Sequence, residues 1–132
     1  MEQERTYYEE AKRYINNAEE ILKKSKKDGK YYTDPKYVIS AFGTAYASVE
    51  RAAKWYIKLK GVKLKSAKFD QVKEALSKID KKAPYGFNSL YTTLHIDGYD
   101  GVNTDSTVIQ VNLKSARDFI SYLKHFSEKV KY

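Results

Sequence analysis

The sequence contains no cysteine, only two prolines and six glycines, and no long hydrophobic run. The absence of cysteine excludes a disulfide framework, a thiolate metal site and a cysteine nucleophile. Few prolines and glycines argue against the many tight turns of a β-sandwich or barrel. No stretch of about 18 apolar residues occurs, so we expect no membrane span. The acidic, polar N-terminus lacks the apolar segment of a signal peptide, and we expect a cytoplasmic protein.

The length and the charge are typical of one soluble domain whose basic residues are unevenly distributed along the chain. The 132 residues match one ordinary domain, 1–132, and show no internal repeat. The net charge is +8, and residues 21–73 carry fourteen basic but only four acidic side chains. A basic stripe comprises Lys54, Lys58, Lys60, Lys63 and Lys65. It could neutralise the phosphates of RNA or an acidic partner. Lysines that are merely exposed to solvent at helix ends would give the same pattern.

Five segments have helical periodicity, and no strand pattern competes with them. They cover about Glu4 to Lys26, Pro35 to about Lys60, residues 66–79, a segment opened by Pro84, and a last helix that starts near Asp105 or Ser106. Three of these segments are long and two are short. We therefore predict an all-α antiparallel bundle of about five helices.

The second helix has the clearest pattern in the chain. Asp34 supplies a side-chain cap, Pro35 suits the first helical position, and Gly61 ends the helix. Steps of four and three residues define an apolar seam at Val38, Phe42, Ala45, Val49, Ala52, Tyr56 and Leu59. Small residues at Gly43, Ala45, Ser48 and Ala52 predict a closely approaching neighbour helix.

The stretch "LYTTLHIDGYDG", residues 90–101, contains one of only two histidines. The candidate cleft residues there are Tyr91, His95, Asp97, Tyr99 and Asp100. Tyr91 lies one helical turn before His95, and Asp97 and Asp100 could orient the imidazole as a general base. The alternative is a histidine that caps a helix C-terminus before a turn-rich loop. No nucleophile stands at a recognised spacing, so composition favours the second interpretation.

Two further patterns indicate structure more than chemistry. The loop oxygens of Asp97, Asp100, Asn103 and Asp105 miss the spacing of a calcium loop, and Asp105 suits a helix cap. Glu50 is expected to form exposed ion pairs with Arg51 and Lys54 on the helix surface. No Glu-x-x-His motif occurs, so a di-iron site is not expected. We predict no metal and no cofactor.

The order of the helices and motifs along the chain resembles that of the HEPN class of small helical domains, which is named for nucleotide binding in higher eukaryotes and prokaryotes. The resemblance is carried by "YYEEAKRY", "VISAFGTAYASVERAAKWYIKLKG", "FDQVKEAL" and "LHIDGYDG", and the chain looks closest to a bacterial branch of unknown function. HEPN domains are usually dimeric, and many are metal-independent ribonucleases with an arginine a few residues before a histidine. The histidine matches His95, but the arginine would fall on Asn88, Ser89 or Leu90, none of which is basic. The resemblance thus implies the fold and a homodimer, and argues against the enzyme.

Three functions remain open from the sequence. The leading hypothesis is a non-catalytic, HEPN-like binding or assembly module, a homodimer of unknown ligand. The first alternative is an RNA-binding or ribonuclease toxin-type protein that uses His95 and the basic stripe. The second, which rests on fold analogy alone, is a nucleotide-binding partner of a nucleotidyltransferase.

Overall fold

A long central helix, flanked by two others, organises the molecule. The computed structural model describes residues 2–98 and 103–129, and the side chains of residues 7–98 and 103–127. In chain order the elements are α1 (Glu2–Lys23), β1 (Lys27–Asp28), β2 (Tyr31–Tyr32), α2 (Pro35–Leu59), α3 (Phe69–Ser77), α4 (Ala83–Leu90), a π-helix (Tyr91–Asp97) and α5 (Ser106–Lys129). The chain is an all-α bundle, as predicted. None of the helices within the described ranges combines the length and the apolar character of a transmembrane span.

Helix α2 forms the centre of the core, and its ends are where the sequence predicts them. The Lys36 amide donates to Asp34 Oδ1 at 3.0 Å, with Pro35 in the first turn. Gly61 ends the helix in the left-handed region, at φ +74°, which glycine tolerates best. The predicted seam is buried except for Leu59, which is 39% exposed at the last turn.

Helix α1 runs antiparallel to α2 through a seam of small residues. Ala11, Ala45 and Ala52 are fully buried, so the two backbones approach closely. Ser48 donates its hydroxyl to the Ala11 carbonyl oxygen across the interface, which satisfies a buried polar group. Gly43 was predicted to belong to this seam, but it is exposed. A Cβ added at Gly43 would meet nothing within 4 Å.

A β-hairpin with two-residue strands connects α1 to α2 in the chain and is hydrogen-bonded to the residues at the start of α5. Gly29 makes the turn with φ +61°, and β1 pairs antiparallel with β2. The Tyr32 amide donates to the Thr104 carbonyl oxygen at 2.9 Å, and the Ser106 amide to the Lys30 carbonyl oxygen at 2.7 Å. Strands of this length are too short to produce the alternation that reveals a strand in a sequence, so the hairpin was not predicted.

Asp80 joins three helices at the end of the bundle that contains α4. It accepts hydrogen bonds from the Tyr56 hydroxyl at 3.0 Å and the Tyr122 hydroxyl at 3.1 Å. It also accepts from the amides of Lys82 and Ala83, at 2.8 and 2.7 Å, where α4 begins. Burial, with a smaller effect of the Asp80 charge, raises the pKa of Tyr122 to about 12. One carboxylate therefore serves as cap and as tertiary link.

The helix that carries His95 changes type along its length. The four turns predicted as one α-helical segment are an α-helix to Leu90 and a π-helix from Tyr91 to Asp97. Phe87, Leu90 and Leu94 still face the core, so the apolar pattern cannot distinguish the two helix types. Wide turns of this kind are rare and frequently occur at functional sites.

Candidate functional site: a basic cavity beside an aromatic cluster

A cavity of about 700 Å³ lies between the start of α1, the second half of α2 and the segment that follows it. Its described lining comprises Tyr7, Ala47, Glu50, Arg51, Lys54, Ile57, Lys58, Gly61, Val62, Lys63 and Leu64. The lining residues of α2 recur at three- and four-residue steps, so they form one face of that helix. We call this feature the basic cavity.

The turn at Gly61 creates the outer wall of the basic cavity. The left-handed conformation of Gly61 reverses the chain, and the Val62 amide then donates to the Ile57 carbonyl oxygen at 3.2 Å. Val62 and Leu64 are consequently half-buried against the bundle instead of leading away from it. The cavity therefore has apolar side chains behind its charged ones.

The described lining is strongly positive. Arg51, Lys54, Lys58 and Lys63 are basic, whereas Glu50 is the one acidic residue among the described lining. The Arg51 guanidinium is held 3.7 Å from the Glu10 carboxylate and 4.6 Å from the Tyr14 ring centroid. Cations that line one cleft raise the local concentration of anions, so the cavity is suited to an anionic ligand.

Glu50 is half-buried and lacks a close polar partner. In the part of the chain that the structure describes, it makes no hydrogen bond and no ion pair within 4 Å. Burial raises the pKa of Glu50, although Lys54, His95 and Arg51 each lower it. The expected exposed ion pairs of Glu50 with Arg51 and Lys54 are therefore wrong. Arg51 turns to Glu10 on α1 instead, since that carboxylate lies across the helix interface.

An aromatic cluster adjoins Glu50 on the side of the π-helix. The exposed His95 ring lies 5.0 Å from the Tyr46 ring and 5.2 Å from the Tyr91 ring, with interplanar angles of 28° and 33°. Tyr91 in turn stacks on Phe69 at 3.9 Å. Burial raises the pKa of Tyr46 above its ordinary range, and the Glu50 charge raises it further. Tyr46 thus remains a neutral hydrogen-bonding group beneath His95.

The sequence of the whole domain matches one protein family. Residues 6–125 match the model described as "Domain of unknown function (DUF5618)". The chain belongs to the DUF5618 family. The DUF5618 chain is also similar to a solved structure, a protein of unknown function from Dyadobacter fermentans, with 35% identity and a TM-score of 0.77. The similarity covers 92% of this chain and 96% of that one. No curated protein matches the sequence.

The predicted cleft residues of the DUF5618 chain do not all come together. Tyr91 and His95 share the aromatic cluster. Asp97 instead lines a separate cavity of about 290 Å³ with Phe42 and Asn103, so the structure does not place it with His95. Tyr99 and Asp100 lie outside the described residues. His95 makes these ring contacts and, among the described residues, no hydrogen bond to a last-turn carbonyl.

The basic stripe divides between the basic cavity and the open surface. Lys54, Lys58 and Lys63 line the cavity. Lys60 lies over the Tyr56 ring at 5.6 Å, and burial lowers its pKa. Lys65 is exposed outside the cavity lining. Part of the stripe therefore lines the basic cavity, and the rest does not.

The described end of the oxygen-rich loop, at Asn103 and Asp105, caps the start of α5. Asn103 Oδ1 accepts from the Asp105 amide at 3.0 Å, and Asp105 Oδ1 accepts from the Thr107 amide at 2.9 Å. The bond from Thr107 is the main reason that the pKa of Asp105 is lowered. Within the described residues no group of three His, Asp or Glu side chains could hold a metal ion.

Sequence reasoning missed Tyr46 and undervalued Glu50. Tyr46, Glu50 and Lys54 follow one another at four-residue steps, so they lie in one row on α2 beside the apolar seam. That row was the available signal. A carboxylate between an aromatic residue and a lysine is equally typical of a solvated helix face, so the sequence alone does not single out Glu50. Its burial in the folded structure does.

Replacing Glu50 with glutamine should stabilise the protein at neutral pH. Folding raises the pKa of the Glu50 carboxyl group above its value in the unfolded chain, which is about 4.5. Glu50 therefore makes its full contribution to the free energy of unfolding at pH values below the pKa of the unfolded chain. That contribution is lost as the pH rises through the folded pKa. Glu50→Gln should therefore raise the free energy of unfolding at pH 7 and lose that advantage near pH 4, as measured by urea denaturation.

Glu74→Gln is the matched control for this prediction. Glu74 is exposed on α3 and lies 4.0 Å from Lys78, an arrangement that contributes little to stability. Its substitution should leave stability at pH 7 nearly unchanged. A Glu50→Gln protein that is less stable than the wild type at pH 7 would contradict the argument.

Proposed function

We propose that the protein is a non-catalytic, HEPN-like binding module that holds an anionic ligand with an apolar portion in the basic cavity, and that it acts as a homodimer. The observation that carries the proposal is the basic cavity itself, with its four cations around a partly apolar wall. Its volume is in the range of small-molecule sites. Ile57, Val62 and Leu64 supply apolar contact area, while the cations supply orientation and attraction.

The absence of catalysis is supported by what occupies the position of the HEPN arginine. Leu90 is 4% exposed and belongs to the core, so the position serves packing. Asn88 is the polar candidate nearby, and its Oδ1 accepts from the Lys73 ammonium at 3.2 Å. Neither side chain carries the positive charge with which an arginine would stabilise the negative charge that develops on a phosphate during RNA cleavage.

The binding proposal is tested with 2-naphthyl phosphate, a small anion with an apolar ring system. We expect the double variant Lys54→Gln/Lys63→Gln to bind it at least about tenfold more weakly than the wild type by isothermal titration calorimetry, because two cations are removed from one cavity.

The matched control is the double variant Lys65→Gln/Lys68→Gln, which removes the same charge from exposed positions of the segment that also carries Lys63. It should bind the probe with nearly wild-type affinity. Equal loss in both double variants would indicate a general charge effect and contradict a specific cavity.

The homodimer is supported by exposed apolar side chains on α5. Val108 and Val111 are 40% and 56% exposed and lie one turn apart, on one face of that helix. Sedimentation velocity at micromolar concentration is expected to show a dimer. A monomer throughout that range would overturn this half of the proposal.

RNA binding is the second candidate, and the aromatic cluster is the observation that favours it. The cluster presents the exposed His95 ring beside the half-buried rings of Tyr91 and Phe69, with the Lys73 ammonium 5.9 Å from the Phe69 ring centroid, and aromatic rings beside cations are an arrangement on which single-stranded bases stack. Salt-sensitive binding of mixed single-stranded RNA that weakens in His95→Ala would support this candidate. RNA cleavage that depends on His95 would replace the non-catalytic proposal with the ribonuclease alternative.

A further inference from the structure

The acidic side chain of the basic cavity is out of place in a site that only attracts anions. Glu50 shares the described lining with Arg51, Lys54, Lys58 and Lys63. An ionised carboxylate repels an anionic ligand and weakens the field of the cations around it. A site that recognised negative charge alone would bind more tightly with a neutral residue at this position.

Among the described residues, no group close to Glu50 forms a hydrogen bond or ion pair with its carboxylate. The cationic neighbour Arg51 lies on the same helix but contacts Glu10 and Tyr14. The other groups that influence it are Lys54 on α2, Tyr46 on α2 and His95 on the π-helix. Among the described residues none of them forms a hydrogen bond or an ion pair with it within 4 Å. A half-buried carboxylate in this state retains its capacity to accept a hydrogen bond from something else.

The order of residues along α2 separates Glu50 from the lysines of the cavity. Glu50 precedes Lys54 by one helical turn and Lys58 by two, an axial separation of about 6 and about 12 Å. Ile57 and Val62 lie towards the far end, with Lys63 on the outer wall. A ligand bound along this face would meet the Glu50 acceptor and the adjacent Arg51, which is paired with Glu10, first and then the lysines, with apolar side chains beside them.

We propose that the basic cavity selects zwitterionic ligands, and that Glu50 is the residue that determines this specificity. Such ligands are small molecules with an apolar body and an anionic group that is accompanied by an ammonium or other N–H donor. Glu50 accepts the hydrogen bond of that donor. The inference rests on the proposed function, since it takes the basic cavity as the binding site. It deepens that function by naming the class of ligand. An apolar α-amino acid is the simplest member of the class.

Tryptophan and indole-3-propionate test this proposal, because they share an indole ring and a carboxylate and differ in the α-ammonium group alone. By isothermal titration calorimetry at pH 7, the wild-type protein should bind tryptophan about tenfold more tightly than indole-3-propionate, the ratio typical of one charge-assisted hydrogen bond. In Glu50→Gln the preference should be lost, and indole-3-propionate should bind more tightly than it does to the wild type. Glu74→Gln should keep the wild-type preference.

The outcomes separate this inference from the proposed function. Equal affinity of the wild type for the two probes, or a preference that survives Glu50→Gln, overturns the role of Glu50. Binding of 2-naphthyl phosphate without binding of either indole overturns the zwitterionic ligand class and leaves the anion site intact. Failure of all three probes to bind overturns the proposed function and the inference together. Chemical-shift changes of the Glu50 and Lys54 amides on addition of tryptophan would place the probe in the basic cavity.

Discussion

Replacing Asp80 with alanine is expected to lower the free energy of unfolding by about 3 kcal/mol or more. The substitution removes the acceptor of two tyrosine hydroxyls and of the two amides that begin α4. Tyr56 is fully buried, so its hydroxyl is left without a partner in a place that water does not reach. Urea denaturation of the variant should show a lower midpoint.

The control for Asp80→Ala is Asp118→Ala on α5. Asp118 accepts from the Lys114 ammonium at 2.9 Å, but both side chains are largely exposed. Exposed pairs of this spacing contribute about 0–1 kcal/mol, so the control should differ little from the wild type. Similar destabilisation in the two variants would mean that Asp80 acts as an ordinary surface carboxylate, which would contradict the argument.

Substitutions of two glycines by alanine are expected to change stability in opposite directions. A Cβ at Gly98 would lie 2.9 Å from Phe42 Cβ and 3.0 Å from Cγ, with Cδ2 closer still. Phe42 is 5% exposed and cannot swing away, so Gly98→Ala should destabilise the protein by about 2 kcal/mol. Gly43 is exposed in the interior of α2 with open space around it, so Gly43→Ala should stabilise by about 0.5–1 kcal/mol.

Thermal and urea denaturation of the two alanine variants provide the measurement, and each variant serves as the other's control for the chemistry of the substitution. A neutral effect at Gly98 would mean that the end of the π-helix does not pack against α2. A loss of stability at Gly43 would mean that its exposed position on α2 is wrong.

Most of the fold was predictable because its signals are local. The cap at Asp34, the seam of α2 and the stop at Gly61 each depend on neighbouring residues, and all three are confirmed. The cap at Asp105 is of the same kind. The β-hairpin and the π-helix were not predictable, since each depends on contacts with distant parts of the chain that leave no period in the sequence.

The candidate site was predictable only in part, for a related reason. The basic stripe contains all three lysines of the described cavity lining, because charge is visible in a sequence. The half-buried position of Glu50 was not visible, since it depends on tertiary packing, and neither was the contact of Arg51 with Glu10 on another helix. His95 and Tyr91 were correctly placed on one face, but their partner Tyr46 comes from another helix.

The β-hairpin has a consequence for the order of folding. More than half of the chain separates Tyr32 from its hydrogen-bond partner Thr104, whereas α1 and α2 are neighbours in sequence. Closing so long a loop loses conformational entropy before the contact returns any free energy, so we expect α1 and α2 to pair first and the hairpin to engage α5 late. Substitutions that weaken the hairpin contact are therefore expected to accelerate unfolding more than they slow folding.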